Sequence, residues 1–364
     1  MGFVQRNRKV FNKLRTMALV VGELKGIYHR KDEWKQTVLT KEQSHAAKEY
    51  MKKHYGKVVP LWWHRLYTSY TGKFDEKYFP EILFSSKLEE KLNPYDVALP
   101  LGNKAFNPQI LFRDIPDTLK IRTPEYLCVS CYGVIWNRND ELVDFEWIIA
   151  NIGVEEHVIK PTIDTMGAKG VQVIKIEDGI DVRSKKRLAD ILKSYGGNFV
   201  IQERVKNHTS IAHVYPNSVN SLRVITYICD NQIHIAPLSM RFGINGRVVD
   251  NAGIFIGVDK EGYLCETGFS KKGLIRYSTH PDTGVVFKGY KVAGVPQMID
   301  AAHKMHARLP QLKMISWDLA YDDNENVVII EVNTTGQSVW FPQMVNGEGL
   351  FGDHTPQMYH LIRK

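Results

Sequence analysis

Val327-Val328-Ile329-Ile330-Glu331-Val332-Asn333 is a strand that turns polar at its end. Four apolar residues run ahead of two polar ones, and residues i and i+2 of a strand share a face. Glu331 and Asn333 therefore point one way and Val332 the other. Upstream, residues 315–321 form a second apolar strand with Asp318 inside it. The intervening Asp322-Asp323-Asn324-Glu325-Asn326 is a turn sequence, so the two strands read as a hairpin with Asp318 at about the level of Glu331. Two carboxylates and an amide oxygen form a hard oxygen set of the kind Mg²⁺ takes. On spacing alone, polar residues at a strand end are an equally good reading.

Working back along the chain, Val158-Ile159-Lys160-Pro161 ends a buried strand on a lysine, which is costly unless the ammonium meets an anion. Thr165-Met166-Gly167-Ala168-Lys169-Gly170-Val171 follows. Its glycines let backbone approach a ligand, and successive amides can cradle phosphate. An ordinary turn fits the bare pattern as well. Phe199-Val200-Ile201-Gln202-Glu203-Arg204-Val205 is a strand with polar residues at its end, suited to a hinge whose backbone groups read a base.

Three zones organise the chain: a basic helical region at 1–92, an α/β unit at 93–200 and a second unit at 201–364. The fold class is α+β. In the first zone Val10, Leu14, Met17 and Val21 recur at helical spacing, Thr40 with Gln43 marks another helix start, and Trp62, Trp63, Tyr67 and Tyr70 suit packing against a neighbouring layer. In the second zone the pattern gives strands at 126–134, 157–160 and 171–176. It also gives helices at 145–151 and at 181–195, the latter with Asp181 as N-cap. In the third, strands at 222–230 and 232–241 join through Asp230-Asn231, and a helix fits 296–308.

Residues 1–57 hold 14 Lys and Arg against 5 Asp and Glu, a net of +9, while the whole chain is +8, leaving −1 for the rest. The basic character belongs to the N-terminal region and attracts anions. That region either lies on an anionic membrane or packs on its own domain with its lysines solvated. No apolar run reaches the roughly 18 to 20 residues of a membrane span. Arg6 stands where a myristoylation signal needs Ser or Thr. A cytoplasmic protein is expected. Four cysteines exclude a disulfide scaffold, and Cys128 and Cys131 lack the second pair of ligands a zinc site needs.

Taken in order, the lysine–proline strand with its glycine loop, the strand ending Gln–Glu and the hairpin ending Glu–x–Asn resemble the layout of ATP-grasp enzymes over roughly residues 95–345. The chain looks most like the sugar-transfer-associated ATP-grasp proteins of surface-polysaccharide gene clusters. It is also similar to the ligases that add glutamate to ribosomal protein tails, in which two strand arginines and a later asparagine form a set. Arg223, Arg241 and Asn251 match that set.

The resemblance implies an ATP-grasp fold, with two α/β subdomains gripping ATP, and Mg²⁺ as the metal. Lys160 and the earlier Lys104 would hold phosphates, and the loop from Thr165 through Gly167 to Gly170 would close over them. Gln202, Glu203 and Val205 would frame adenine and ribose, and Asp318, Glu331 and Asn333 would hold Mg²⁺. Arg223 and Arg241 would clamp the substrate carboxylate or its acylphosphate, with Asn251 near the acceptor. Two positions depart from the pattern. Ser316 stands where many members carry arginine, and Ala252-Gly253-Ile254 replaces a glycine pair.

The implied activity is a carboxylate–amine ligase making an amide through an acylphosphate. By analogy its acid is a sugar acid and its amine an amino acid or amino sugar, with no nucleic acid partner. A kinase phosphorylating a hydroxyl and a non-catalytic nucleotide-binding module are the competing readings.

Overall fold

The protein is described by a computed structural model covering residues 2–98, 107–112, 114–162 and 169–363. Lys104, Thr165 and Gly167 lie outside these residues. Among the described residues two sheets face one another. After β1 (Ile121–Arg122), the chain builds the smaller sheet from β2 (Tyr126–Cys131), β3 (Val134–Asn137), β4 (Leu142–Val143), β5 (Glu156–Pro161), β6 (Gln172–Glu177), β7 (Ile180–Asp181) and β8 (Phe199–Glu203). Their order is β4-β3-β2-β8-β5-β6-β7, antiparallel throughout.

The larger sheet takes β9 (Leu222–Cys229), β10 (Gln232–Ile235), β11 (Leu238–Phe242), β12 (Ile254–Val258), β13 (Leu264–Ser270), β14 (Arg276–Tyr277), β15 (Met314–Tyr321) and β16 (Val327–Asn333). Its order is β1-β16-β15-β9-β11-β12-β13-β14, with β10 paired to β9. One face packs Ile315, Trp317 and Leu319 of β15 with Leu222 and Val224 of β9 against the helix Val295–His306. The opposite face carries Asp318 and looks toward the smaller sheet.

Several local signals act as expected from their chemistry. Thr40 Oγ1 accepts from the Gln43 amide at 3.1 Å and Gln43 Oε1 accepts from the Thr40 amide at 3.0 Å, opening the helix Lys41–His54. Asp230 and Asn231 take φ values of 49° and 59°, the left-handed pair that a two-residue hairpin needs. Trp63, Tyr67 and Tyr70 are buried in the helix Trp62–Thr71 and pack against Phe255 and Phe269 of the larger sheet. Cys128 and Cys131 both lie on β2, as free thiols three residues apart and hence on opposite faces.

Three expectations need correction. The helix placed at 181–195 spans only Leu188–Ser194. Asp181 does not cap it. Its carboxylate accepts from the amides of Lys175 and Ser184 at 2.9 and 2.8 Å, so its hydrogen bonds hold the β6–β7 turn instead. The strand drawn over 232–241 breaks at Ala236-Pro237, because proline has no N–H for the ladder. The division at residue 200 cuts through β8, whose residues all belong to the smaller sheet.

Candidate active site

β15 runs between β9 and β16. Asp318 pairs with Arg223 on one side and Glu331 on the other, and Arg223 in turn pairs with Ser239. Directly opposed residues share a face, so Ser239, Arg223, Asp318 and Glu331 stand in a row across the sheet. Asn333 lies opposite Ser316, one step along on the same face. Between Asp318 and Leu319 the register slips, leaving Ile330 as an extra residue on β16. A bulge of this kind re-aims neighbouring side chains. Here it lets consecutive residues, Ile330 and Glu331, both line the cavity between the sheets.

That cavity is about 550 Å³. Val158 and Val173 of the smaller sheet, Ile330 of the larger one, and Val171, Val205 and Val219 from adjoining segments give it an apolar lining. Gln202 and Glu203, at the end of β8, border it. Gln202 is buried and accepts from Gln109 Nε2 at 3.3 Å. The Glu203 carboxylate is held by Arg122 and by the Glu125 amide at 2.9 Å, and Arg122 also donates to Asp322 at 2.9 Å.

Lys160, two residues along β5 from Val158, is 9% exposed and has no ion pair among the described residues. Burial pushes its ammonium down from 10.5 to about 8, and the charge of Glu331 offsets this only partly. Gly170 follows with φ +78°, and a Cβ there would sit 2.9 Å from Pro161 Cγ, so the residue must be glycine. Its carbonyl accepts from Tyr195 Oη at 2.7 Å.

The middle of the cavity differs from the expectation. Asp318 is 1% exposed and serves as the shared acceptor of both arginines. Arg223 chelates it through Nε and Nη2, the latter at 2.9 Å from Oδ2, and Arg241 Nη2 reaches the same oxygen at 2.9 Å. Arg241 also lies 3.6 Å from Asp250, which accepts from Ser221 Oγ at 2.6 Å. Burial opposes the charge on Asp318, yet Arg223 and Arg241 outweigh it and hold the carboxyl below its ordinary range. Burial likewise opposes the charge on Arg241, and Asp250 and Asp318 reverse that. Asp250 goes the other way, raised by burial. The arginines are thus fixed by buried acids rather than open.

A carboxylate offers about four lone-pair positions, and the guanidiniums use three of those on Asp318. Glu331 and Asn333 supply the other hard oxygens. Asn333 is 7% exposed and its buried Nδ2 has no hydrogen-bond partner among the described residues. A buried amide left unpaired is costly unless a ligand completes it. The oxygen donors fit a Mg²⁺ ion, and the unpaired Nδ2, a donor, fits an acceptor such as a phosphate oxygen beside it.

At the far end, Asn251, Phe255, Phe341 and Lys271 line the wall, with the Phe255 and Phe341 rings stacked at 3.8 Å. Lys271 sits in the β13–β14 turn. Burial lowers its pKa, as do the positive charges of Arg241, Lys272, Arg223 and Arg30, and no acid pairs with it among the described residues. Val205 was foreseen, but the other residues of the apolar lining and Lys271 were not. Val158 could have been found, because it shares a strand face with Lys160. A larger open cleft of about 800 Å³ lies beyond the end of β8. In it Glu156 pairs with Arg204, and also with Arg183 from outside the cleft, and Glu125 pairs with Arg138.

Two sheets close on a cavity that holds a buried lysine and a carboxylate hairpin, the arrangement expected of an ATP-grasp enzyme. A family model described as sugar-transfer associated ATP-grasp matches residues 83–357, and the chain belongs to that family. No curated protein matches it. Solved structures similar to it include D-alanyl-alanine synthetase A from Vibrio cholerae, with 12% identity and TM-score 0.41 over 73% of this chain and 66% of that one. VanG D-Ala:D-Ser ligase from Enterococcus faecalis gives 11% and 0.37 over 76% and 63%. L-amino acid ligase from Bacillus licheniformis gives 9% and 0.36 over 68% and 48%. The chain thus spans between about half and two thirds of these proteins. The assignment rests on the family match alone.

Proposed function

We propose that this protein is an ATP- and Mg²⁺-dependent carboxylate–amine ligase whose acid is a sugar acid. The observation that carries the reading is Lys160, a buried cation that forms no ion pair among the described residues and is only partly offset by the charge of Glu331, on the same cavity as Glu331 and Asn333. A buried ammonium calls for an anion, and the apolar lining beside it suits a flat purine. Lys160 holds the phosphates of ATP, Gln202, Glu203 and Val205 border the base and ribose, and Gly170 ends the covering loop. Lys104, Thr165 and Gly167 remain assigned from the resemblance.

Glu331 and Asn333, with the remaining lone pair of Asp318, would hold Mg²⁺. When bound, the ion would neutralise charge on the transferring phosphoryl group. The substrate carboxylate attacks the γ-phosphate, giving an acylphosphate and ADP. An amine then displaces phosphate to form the amide. Arg223 and Arg241, locked by Asp318 and Asp250, stabilise charge on the acyl group from fixed positions. Lys271 offers the acceptor a further cation beside Asn251, and Phe255 with Phe341 presents an apolar wall for a sugar ring.

The test is ADP and phosphate release measured across sugar acids crossed with amino acids and amino sugars. Full release of both products should require one member of each set. ADP release with a single acceptor and no free phosphate would make the enzyme a kinase, and binding without release a nucleotide module. Glu331→Gln should lower turnover on the order of a hundredfold or more. Turnover equal to wild type would remove the metal assignment.

A further inference from the structure

The N-terminal helix α1 (Gly2–His29) has two unlike sides. Ile27 is buried, and Thr16, Leu19, Val20 and Glu23 are partly covered, where α1 packs on the helical segment at 81–92. Leu14, Met17, Val21, Leu24 and Tyr28 lie on the other side and are 38% to 64% exposed. At about 100° per residue their spacing confines them to an arc of about 80°. Lys13 and Lys25 are exposed along the two edges of this stripe.

Five large apolar side chains in one continuous row are not the scattered exposure of an ordinary surface. Ala18 and Gly22 lie exposed beside them. A Cβ at Gly22 or Gly26 would meet nothing within 4 Å. Glycine weakens a helix interior, and nothing in this fold requires it at either position. The outer face is therefore shaped for something outside the chain.

Charge selects among occupants. Within residues 2–29 there are six Lys and Arg against Glu23 alone, a net of +5, inside a region of net +9. A second copy of the helix would set like charge against like charge. An anionic lipid surface complements both features: the apolar row enters the acyl boundary, and the flanking lysines reach the headgroups. No described helix is long and apolar enough to cross a membrane, so α1 would lie on the surface. We propose that the outer face of α1 docks the enzyme on an anionic phospholipid bilayer.

The docked face is tied to the cavity. Just past Tyr28, Arg30 Nη2 donates to the Lys271 carbonyl at 3.4 Å, and the Gly273 amide donates to Glu33 at 3.3 Å. Arg30 also lies over the Trp340 ring at 4.1 Å. The turn that carries Lys271 into the acceptor end is thus built on the end of the membrane helix. This inference does not depend on the ligase reading.

The full chain is tested by co-sedimentation with vesicles of phosphatidylcholine alone and of equal parts phosphatidylcholine and phosphatidylglycerol. Wild type should bind only the anionic vesicles, and less as salt rises. Val21→Asp should weaken binding on the order of tenfold or more. Lys13→Glu with Lys25→Glu should weaken it as well. Both variants should keep wild-type circular dichroism, because the altered side chains are exposed. Equal binding to both vesicle types, or unchanged binding by Val21→Asp, would overturn the proposal. So would a wild-type dimer in sedimentation equilibrium that Val21→Asp splits, since the face would then belong to a second copy.

Discussion

Replacing Lys160 by methionine should make the protein more stable while removing its ability to use ATP. The ammonium is 9% exposed and forms no ion pair among the described residues, and burial, only partly offset by the charge of Glu331, lowers its pKa from 10.5 to about 8. At about 1.4 kcal/mol per pH unit, keeping this lysine charged costs about 3 kcal/mol at neutral pH. Methionine fills nearly the same volume without that cost. With an unfolding entropy of roughly 2.1 cal/mol/K per residue, the gain over 364 residues corresponds to a melting temperature about 4 °C higher at pH 7.

The sign follows from proton counting. Between pH 8 and 10.5 the unfolded chain keeps a proton at Lys160 that the folded chain has lost, so wild-type stability gains with pH across that window. The variant lacks this gain, so its advantage should shrink toward zero above pH 10.5. Under the proposed function, bound ATP would supply the missing anion. Calorimetry should therefore show proton uptake on ATP binding to wild type at about pH 8 to 9, and none with Lys160→Met. A variant less stable than wild type at pH 7, binding ATP as wild type does, would refute the reasoning.

Asp318→Asn should be destabilising, by about 3 kcal/mol, because it leaves two mostly covered guanidiniums short of their shared, fully buried carboxylate. Asp318 is held below its ordinary value of 3.8, so its contribution is present above that pH and is lost as pH falls through the lowered value. The gap between variant and wild type in thermal melts should close in strong acid; a gap independent of pH would count against the buried network. Gly170→Ala should cost about 1 to 3 kcal/mol, from its positive φ and the approach of Pro161. Wild-type melting of this variant would show that the turn rearranges freely.

The hairpin of β15 and β16, the lysine of β5 and the end of β8 were legible because each is a local period-2 pattern with one polar interruption. Period alone could not reveal the use of Val171, Val173 and Val219, since a valine facing a cavity reads as a valine facing a core. Ile330 depends on a bulge that leaves no sign in a run of Val327-Val328-Ile329-Ile330. Lys271, in Ser270-Lys271-Lys272-Gly273, looks like a solvated turn. The clamp on Asp318 required knowing that β9 lies beside β15 although they are about ninety residues apart in sequence, a non-local pairing. Asp181 misled because a helix cap and a turn brace use the same side chain.

The departure at Ser316 can be understood through the same strand order. Ser316 is fully buried, and its hydroxyl donates to Gln337 Oε1 at 2.6 Å, leaving no room for a guanidinium. Arg223 instead reaches the site from β9, directly across from Asp318, and Arg241 reaches it from the β11 side. The positive charge stays while its strand changes. Two arginines locked on buried acids need no reorganisation when negative charge develops beside them, and such fixed dipoles stabilise a transition state most. Lys160 and Lys271 form no ion pair among the described residues, and under the proposed ligase reading they are the cations that would draw a polyanion in. On that reading one cavity divides its charges into pairs that hold geometry and single cations that bind.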